Sequence, residues 1–191
     1  AGPPLVLSEL RAGNTGKASE VAEKLVAENP NVELYQVLLG MVRAPQKDYP
    51  AAEKIFGDVV KRNPDSAPAR TNLAQVYLAA GRVEDARKTY QDFLSRKPDN
   101  PAALLALADI AAREKKWDEA IGYAEKARAA APTDPAPGVK LLNFHIARQD
   151  WTRARALAGE LAMRFPGNAA VAEAQGRMLA ASGDRDAAVD S

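Results

Sequence analysis

Residues 95–109 read SRKPDNPAALLALAD. Ala and Leu are strong helix formers, yet the helical run stops at Pro98 and restarts at Pro101. Pro98 ends a helix because it has no N–H to donate and its ring clashes with the preceding turn. Asn100 is a good N-cap. Pro101 then occupies the first helical position, where a missing N–H costs nothing. The stretch is therefore one helix end followed by one helix start. Whether it is a local accident or the signature of the whole chain depends on recurrence.

It recurs. Prolines fall at Pro30, Pro64, Pro98, Pro132 and Pro166, each 34 residues after the last. Alanines keep the same step at Ala18, Ala52, Ala86, Ala120, Ala154 and Ala188, and leucines at Leu5, Leu39, Leu73, Leu107 and Leu141. Three residue types holding one period along the chain mark a repeat array. Within residues 67–100, Leu73, Ala74 and Tyr77 lie at helical spacing in a first segment, and Val83, Ala86, Tyr90, Phe93 and Leu94 in a second. Each reads as an amphipathic helix of about 12 to 14 residues. Gly81 suits the tight turn between them. The periodic Ala belongs where two helix backbones cross so closely that only a methyl fits. Gly40, Ala74, Ala108 and Gly176 form a second small row, broken by Val6 and Leu142.

The helix starts obey the same period. Ser66, Asn100, Asp134 and Asn168 are N-caps in one register, with Val32 as the departure. A second cap row opens the second helices at Asn14, Asp48, Asp150 and Asp184, with Arg82 and Lys116 as exceptions. Complete units therefore run 33–66, 67–100, 101–134 and 135–168, with partial units at 1–32 and 169–191. Each unit buries its apolar faces against its neighbours. The reading is an all-α, right-handed α-solenoid spanning 1–191 as a single array, with no linker or second domain. Gln175 replaces the periodic Leu and no polar closing helix follows. The array is expected to be a fragment of a longer one, with open ends that allow self-association.

Composition narrows the function. Of 191 residues, 26 are Lys or Arg and 25 are Asp or Glu, for a net charge of +1. No whole-chain field draws in nucleic acid or an anionic membrane. The sequence has no apolar run of about 18 residues, so no direct membrane insertion by this segment is expected. Cysteine is absent, which removes disulfides, thiol nucleophiles and thiolate metal sites. The opening AGPPLVLSELRAG lacks a basic region followed by a long apolar core, so it does not read as a signal peptide.

Catalytic chemistry finds little support. His145 is the only histidine, and its register faces between helices, so it reads as packed and hydrogen-bonded. A metal site needs further ligands at matching spacing, and a His-centred triad needs its partners. The neighbouring carboxylates Glu84–Asp85 and Asp118–Glu119 point apart on a first helical turn, where they favour the helix dipole. They do not face each other across a cleft as a glycosidase requires. No dinucleotide, P-loop or H-E-x-x-H motif is present. The expectation is a non-enzyme without cofactor or metal. Tyr49, Trp117 and Trp151 share one register and read as packing between helices of adjoining units, not as base-stacking platforms.

Leu73-Ala74, Tyr77, Ala86, Tyr90 and Pro98 resemble the tetratricopeptide repeat pattern residue for residue, and the likeness covers essentially the whole chain. Residues 72–120, 46–56 and 161–184 are further similar to the long tetratricopeptide lipoproteins of the bacterial PEP-CTERM/exosortase system. That resemblance implies a Gram-negative source and a lipid-anchored parent facing the periplasm, in a setting of exopolysaccharide and protein sorting. The family's geometry implies that the first helix of each unit lines a concave groove. Leu34, Val37 and Met41 then face in, followed by Thr71, Asn72 and Gln75, then Leu105, Asp109 and Arg113. Lys140, Asn143, Glu173 and Arg177 complete the face.

Asn and Gln satisfy both halves of a peptide bond, and Arg113 and Lys140 suit a carboxylate. The co-chaperone carboxylate clamp of the family is broken here, because Val37 and Met41 fill two of its places and only Asn72 fits the third. The function expected is a scaffold that binds a protein or peptide ligand in the groove. The alternatives are a spacer array with no groove ligand, or a glycan-binding module needing exposed aromatic rings.

Overall fold

The computed structural model describes residues 2–183. Among them are eleven α-helices and no strand. They are α1 (Pro3–Arg11), α2 (Thr15–Glu28), α3 (Glu33–Arg43), α4 (Tyr49–Arg62), α5 (Ala67–Ala79), α6 (Val83–Leu94), α7 (Pro101–Arg113), α8 (Trp117–Ala130), α9 (Pro135–Ala147), α10 (Trp151–Arg164) and α11 (Ala169–Ser182). Pro45 shortens α3, whose register continues as a 3-10 turn over Ala44–Gln46, because proline cannot donate the next helical hydrogen bond.

The chain forms two compact units, Ala1–Pro98 and Asp99–Ser191, parted between a helix-stopping proline and the cap of the next helix. In the first, each even-numbered helix packs on the odd-numbered helices beside it, and α1, α3 and α5 touch in succession. The second unit repeats this pattern, with α7, α9 and α11 in succession.

The periodic alanines are fully buried. Ala18, Ala52, Ala86, Ala120 and Ala154 are all 0% exposed; Ala188 lies outside the described residues, as does Asp184. The second small row has a reason for its exceptions. For five of them the residue 16 positions on sits on the paired even-numbered helix: Phe56 after Gly40, Tyr90 after Ala74 and Ala124 after Ala108, but Ala22 after Val6 and Ala158 after Leu142. Four of these five pairs set a large side chain with a small one, while Ala108 and Ala124 are both small.

The turns inside the hairpins share one construction that the sequence pattern shows only in part. Gly13, Lys47, Gly81, Lys115 and Gln149, all one period apart, have φ of 77, 61, 76, 61 and 59°. Each begins a Schellman closure: Lys115 N–H donates to Ala112 O at 3.0 Å and Lys116 N–H to Ala111 O at 2.9 Å, satisfying the last carbonyls of α7. The residue after the left-handed one is also the N-cap of the next helix, so one residue closes one helix and opens another.

The first cap row performs as expected. Ser66, Asn100, Asp134 and Asn168 accept from the N–H groups of Ala69, Ala103, Ala136 and Val171. In the second row Asp48 and Asp150 accept from Ala51 and Arg153. Asn14 departs from expectation: its amide donates to Glu9 Oε2 at 2.8 Å and does not cap α2. At the exceptions the side chain is used elsewhere. Arg82 reaches Glu53 at 2.6 Å and Asp85 at 2.7 Å, and Lys116 reaches Glu114 at 2.7 Å. At Val32, Glu33 instead accepts from Ser66 Oγ at 2.5 Å and Asn63 Nδ2 at 2.8 Å.

Candidate functional site

The residues singled out above fall on the odd-numbered helices of both units. In the first unit, Leu34 on α3 is 52% exposed, while Met41 is half-buried and packs on two core clusters. Val37 is a correction. It is 6% exposed and belongs to the core with Ala52, Phe56 and Leu73, because its place on α3 points toward α4 and α5.

On α5, Asn72 Nδ2 donates to Pro68 O of its own helix at 2.9 Å. That bond fixes the amide, since the reverse orientation would set two oxygens together. Asn72 Oδ1 has no hydrogen-bond partner among the described residues and remains an open acceptor. Gln75 is exposed, and its Nε2 lies 3.4 Å from the hydroxyl oxygen of Tyr90. Beyond these, Tyr77, Glu53, Arg82 and Asp85 form a latch that the sequence pattern does not reveal. The Tyr77 hydroxyl donates to Glu53 Oε1 at 3.1 Å, and the Arg82 guanidinium lies 4.4 Å from the centre of the Tyr77 ring. Burial first, and then Glu53, push the Tyr77 phenol above its ordinary pKa.

In the second unit the polar residues form a ladder. Lys140 Nζ on α9 donates to both carboxylate oxygens of Asp109 on α7, at 2.6 and 2.7 Å. Lys140 therefore already holds a carboxylate, that of its own chain. Asn143 Oδ1, one turn on, accepts from Arg177 Nη2 of α11 at 3.3 Å, and Arg177 Nη1 also pairs with Glu173. Arg113 lies one turn beyond Asp109 on the same face of α7. It is exposed and has no ion-pair partner among the described residues. Only spacings of 31 and 34 between opposite or complementary side chains could have announced these pairs, and a period of 34 makes such spacings adjacent.

The residues weighed for chemistry are occupied structurally. Asp85 pairs with Arg82, Glu84 with Arg87, and Asp118 with Arg148. His145 is packed at 5% exposure, but the expected hydrogen bond at Nδ1 is missing among the described residues. Asp150 Oδ2 lies 3.7 Å away, too far for a hydrogen bond. Burial holds the His145 imidazole below its usual pKa, with Asp150 opposing. No group of three potential metal ligands occurs among the described residues, and none of their helices is long and apolar enough to cross a membrane. Trp117 packs toward α9 with its ring centre 6.4 Å from that of Phe144, and Tyr49 packs on the core around Phe56.

Family models described as tetratricopeptide repeat match residues 4–68, 46–110 and 111–178. No curated protein matches. Among solved structures, the chain is similar to the Pseudomonas aeruginosa pilF protein, with 19% identity and a TM-score of 0.73 over 98% of this chain and 86% of that one. It is similar to PilW, described as a type IV pilus biogenesis factor, with 18% identity and a TM-score of 0.75 over 98% and 87% of the two chains. The thermophilic protein TTC0263 of Thermus thermophilus has 17% identity and a TM-score of 0.69 over 94% and 96%. At such identities these likenesses show the fold alone.

Proposed function

Because this chain belongs to the tetratricopeptide repeat family, an all-α solenoid fold whose members are generally protein-interaction scaffolds, we propose that it is a non-enzymatic scaffold in which each compact unit holds a peptide or protein segment on the exposed sides of its own odd-numbered helices. The observation that carries this reading is the state of the amides. Asn72 and Asn143 are each fixed by one bond to their own chain while the other end of the amide stays open. A preset donor or acceptor is what recognition of a peptide backbone needs, since little ordering is left to be done on binding. Leu34, Met41, Gln75, Asp109, Arg113, Lys140 and Arg177 supply the apolar and charged surroundings.

Peptides selected from a random display library on the immobilised chain provide the test. The expected result is defined binding by calorimetry that weakens about tenfold or more when Asn72, Gln75, Arg113 and Asn143 are together changed to Ala, a loss of roughly 1.4 kcal/mol. Equal affinity of the variant would remove the face from the account and favour a spacer role. The setting we propose is the PEP-CTERM/exosortase system, with a lipid-anchored parent facing the periplasm, supported by the resemblance of residues 46–56, 72–120 and 161–184. The source genome tests it: exosortase and exopolysaccharide genes beside this one are expected, and a neighbourhood without them would overturn the assignment.

A further inference from the structure

We propose that the odd-helix face of the second unit binds an acidic peptide segment through its side-chain carboxylates, with Arg113 and Asn143 as the principal donors. This rests on the scaffold reading and adds the chemical class of the ligand. On this face the acceptors are engaged and the donors are open. Both oxygens of Asp109 are engaged by Lys140, and the charge of Glu173 is met by Arg177. Asn143 Oδ1 is taken by Arg177; a flipped amide would set its NH₂ against the guanidinium, so the orientation is determined by charge. The acceptors of the ladder are thus largely consumed inside it.

The donors are not. Asn143 keeps both N–H bonds of Nδ2, and Arg113 keeps its full guanidinium, since neither group has another partner among the described residues. A face whose open capacity is donor-rich, and whose one unpaired charge is positive, complements an acceptor-rich segment. Hydrogen bonds from such donors to ionised carboxylates are roughly twice as strong as those to neutral carbonyls, which separates an acidic segment from a neutral one. A basic segment would bring further donors to a face already full of them.

Fluorescence anisotropy with the intact chain tests this, using equal-length labelled peptides rich in Glu, Gln or Lys, the Glu peptide also with an amidated C-terminus. The Glu peptide is expected to bind about tenfold tighter than its Gln analogue, and the preference to shrink with added salt. Arg113→Ala and Asn143→Ala should each weaken it several-fold with an unchanged helical spectrum. Asp109→Asn should tighten it, because it releases Lys140; the pair is partly exposed, so its loss should leave the melting temperature little changed. Amidation should have no effect, and a loss on amidation would show that a chain terminus is read instead and overturn the proposal. Equal binding of Glu and Gln peptides would overturn it while leaving the scaffold reading intact, because the library-selected peptides test that separately. Equal binding of a short single-stranded oligonucleotide would show an unselective anionic attraction and also overturn it.

Discussion

The backbone of Gly40 lies so close to the ring of Phe56 that a Cβ placed on the glycine would fall 2.5 Å from two ring carbons. Both residues are buried, with Phe56 at 0% exposure. The contact shows how one repeat spacing admits different sequences: the crossing of α3 and α4 is held by glycine against phenylalanine, where α9 and α10 use Leu142 and Ala158. Gly40→Ala gains about 1 kcal/mol of helix propensity but overpacks the crossing, at a cost of about 1 to 3 kcal/mol or more. The net expectation is a lower midpoint in chemical denaturation, recovered in part by Phe56→Leu in the same chain. A Gly40→Ala variant more stable than the parent would contradict the contact.

The periodic alanines make the same argument at another height in the hairpin. Ala120 is fully buried in the core with Ala108 and Ala154. Ala120→Leu should cost about 1 to 3 kcal/mol, read as a lowered melting temperature, and an unchanged one would show that the register is wrong.

The left-handed row offers a gain. An L-residue in that conformation costs roughly 1–2 kcal/mol, while glycine loses about 0.5–1 kcal/mol of chain entropy relative to Ala. Lys115→Gly, at φ 61°, should therefore stabilise the protein by about 0.5–1 kcal/mol. Gly81→Ala, at φ 76°, should destabilise it by about the same amount. Denaturation midpoints moving in the same direction for both variants would contradict the turn geometry.

Much of this was readable from one sequence because a 34-residue period repeats each signal: the prolines, alanines and caps confirm one another. What stayed hidden was of two kinds. The left-handed row holds two glycines, two lysines and a glutamine, so residue type marks a turn only at the glycines, of which Gly81 lies between two clear helical segments. The side-chain pairs Lys140–Asp109 and Arg82–Glu53 depend on rotamers and reach, which a periodic pattern does not encode. Val37 failed for a related reason. A register taken from the family's geometry places it on the exposed face, yet at 6% exposure it packs with Ala52 and Phe56 of α4 and Leu73 of α5.

Acidification should loosen the second unit before the first. Burial depresses the His145 pKa, so in the window from its folded value up to the ordinary value of about 6.5 the unfolded chain binds a proton that the folded chain does not. Stability is then lost as the pH falls through that window. The charges facing the ring are Asp150 and Glu125, which favour protonation, and Arg153 and Arg148, which oppose it. Glu33 is also depressed, chiefly by the Ser66 hydrogen bond and then by Asn63. Its contribution is present above the ordinary carboxylate range and disappears only at lower pH. Melting temperatures across pH should show a first decline below about 6.5 that His145→Gln removes, and a profile unaffected by that substitution would contradict the assignment.

Nuclear magnetic resonance of the intact chain, titrated with a library-selected peptide, tests the scaffold claim most directly. The side-chain amide signals of Asn72, Gln75 and Asn143 are expected to shift with saturation, while that of Gln91, exposed on α6, stays in place. Shifts confined to the even-numbered helices would contradict the account.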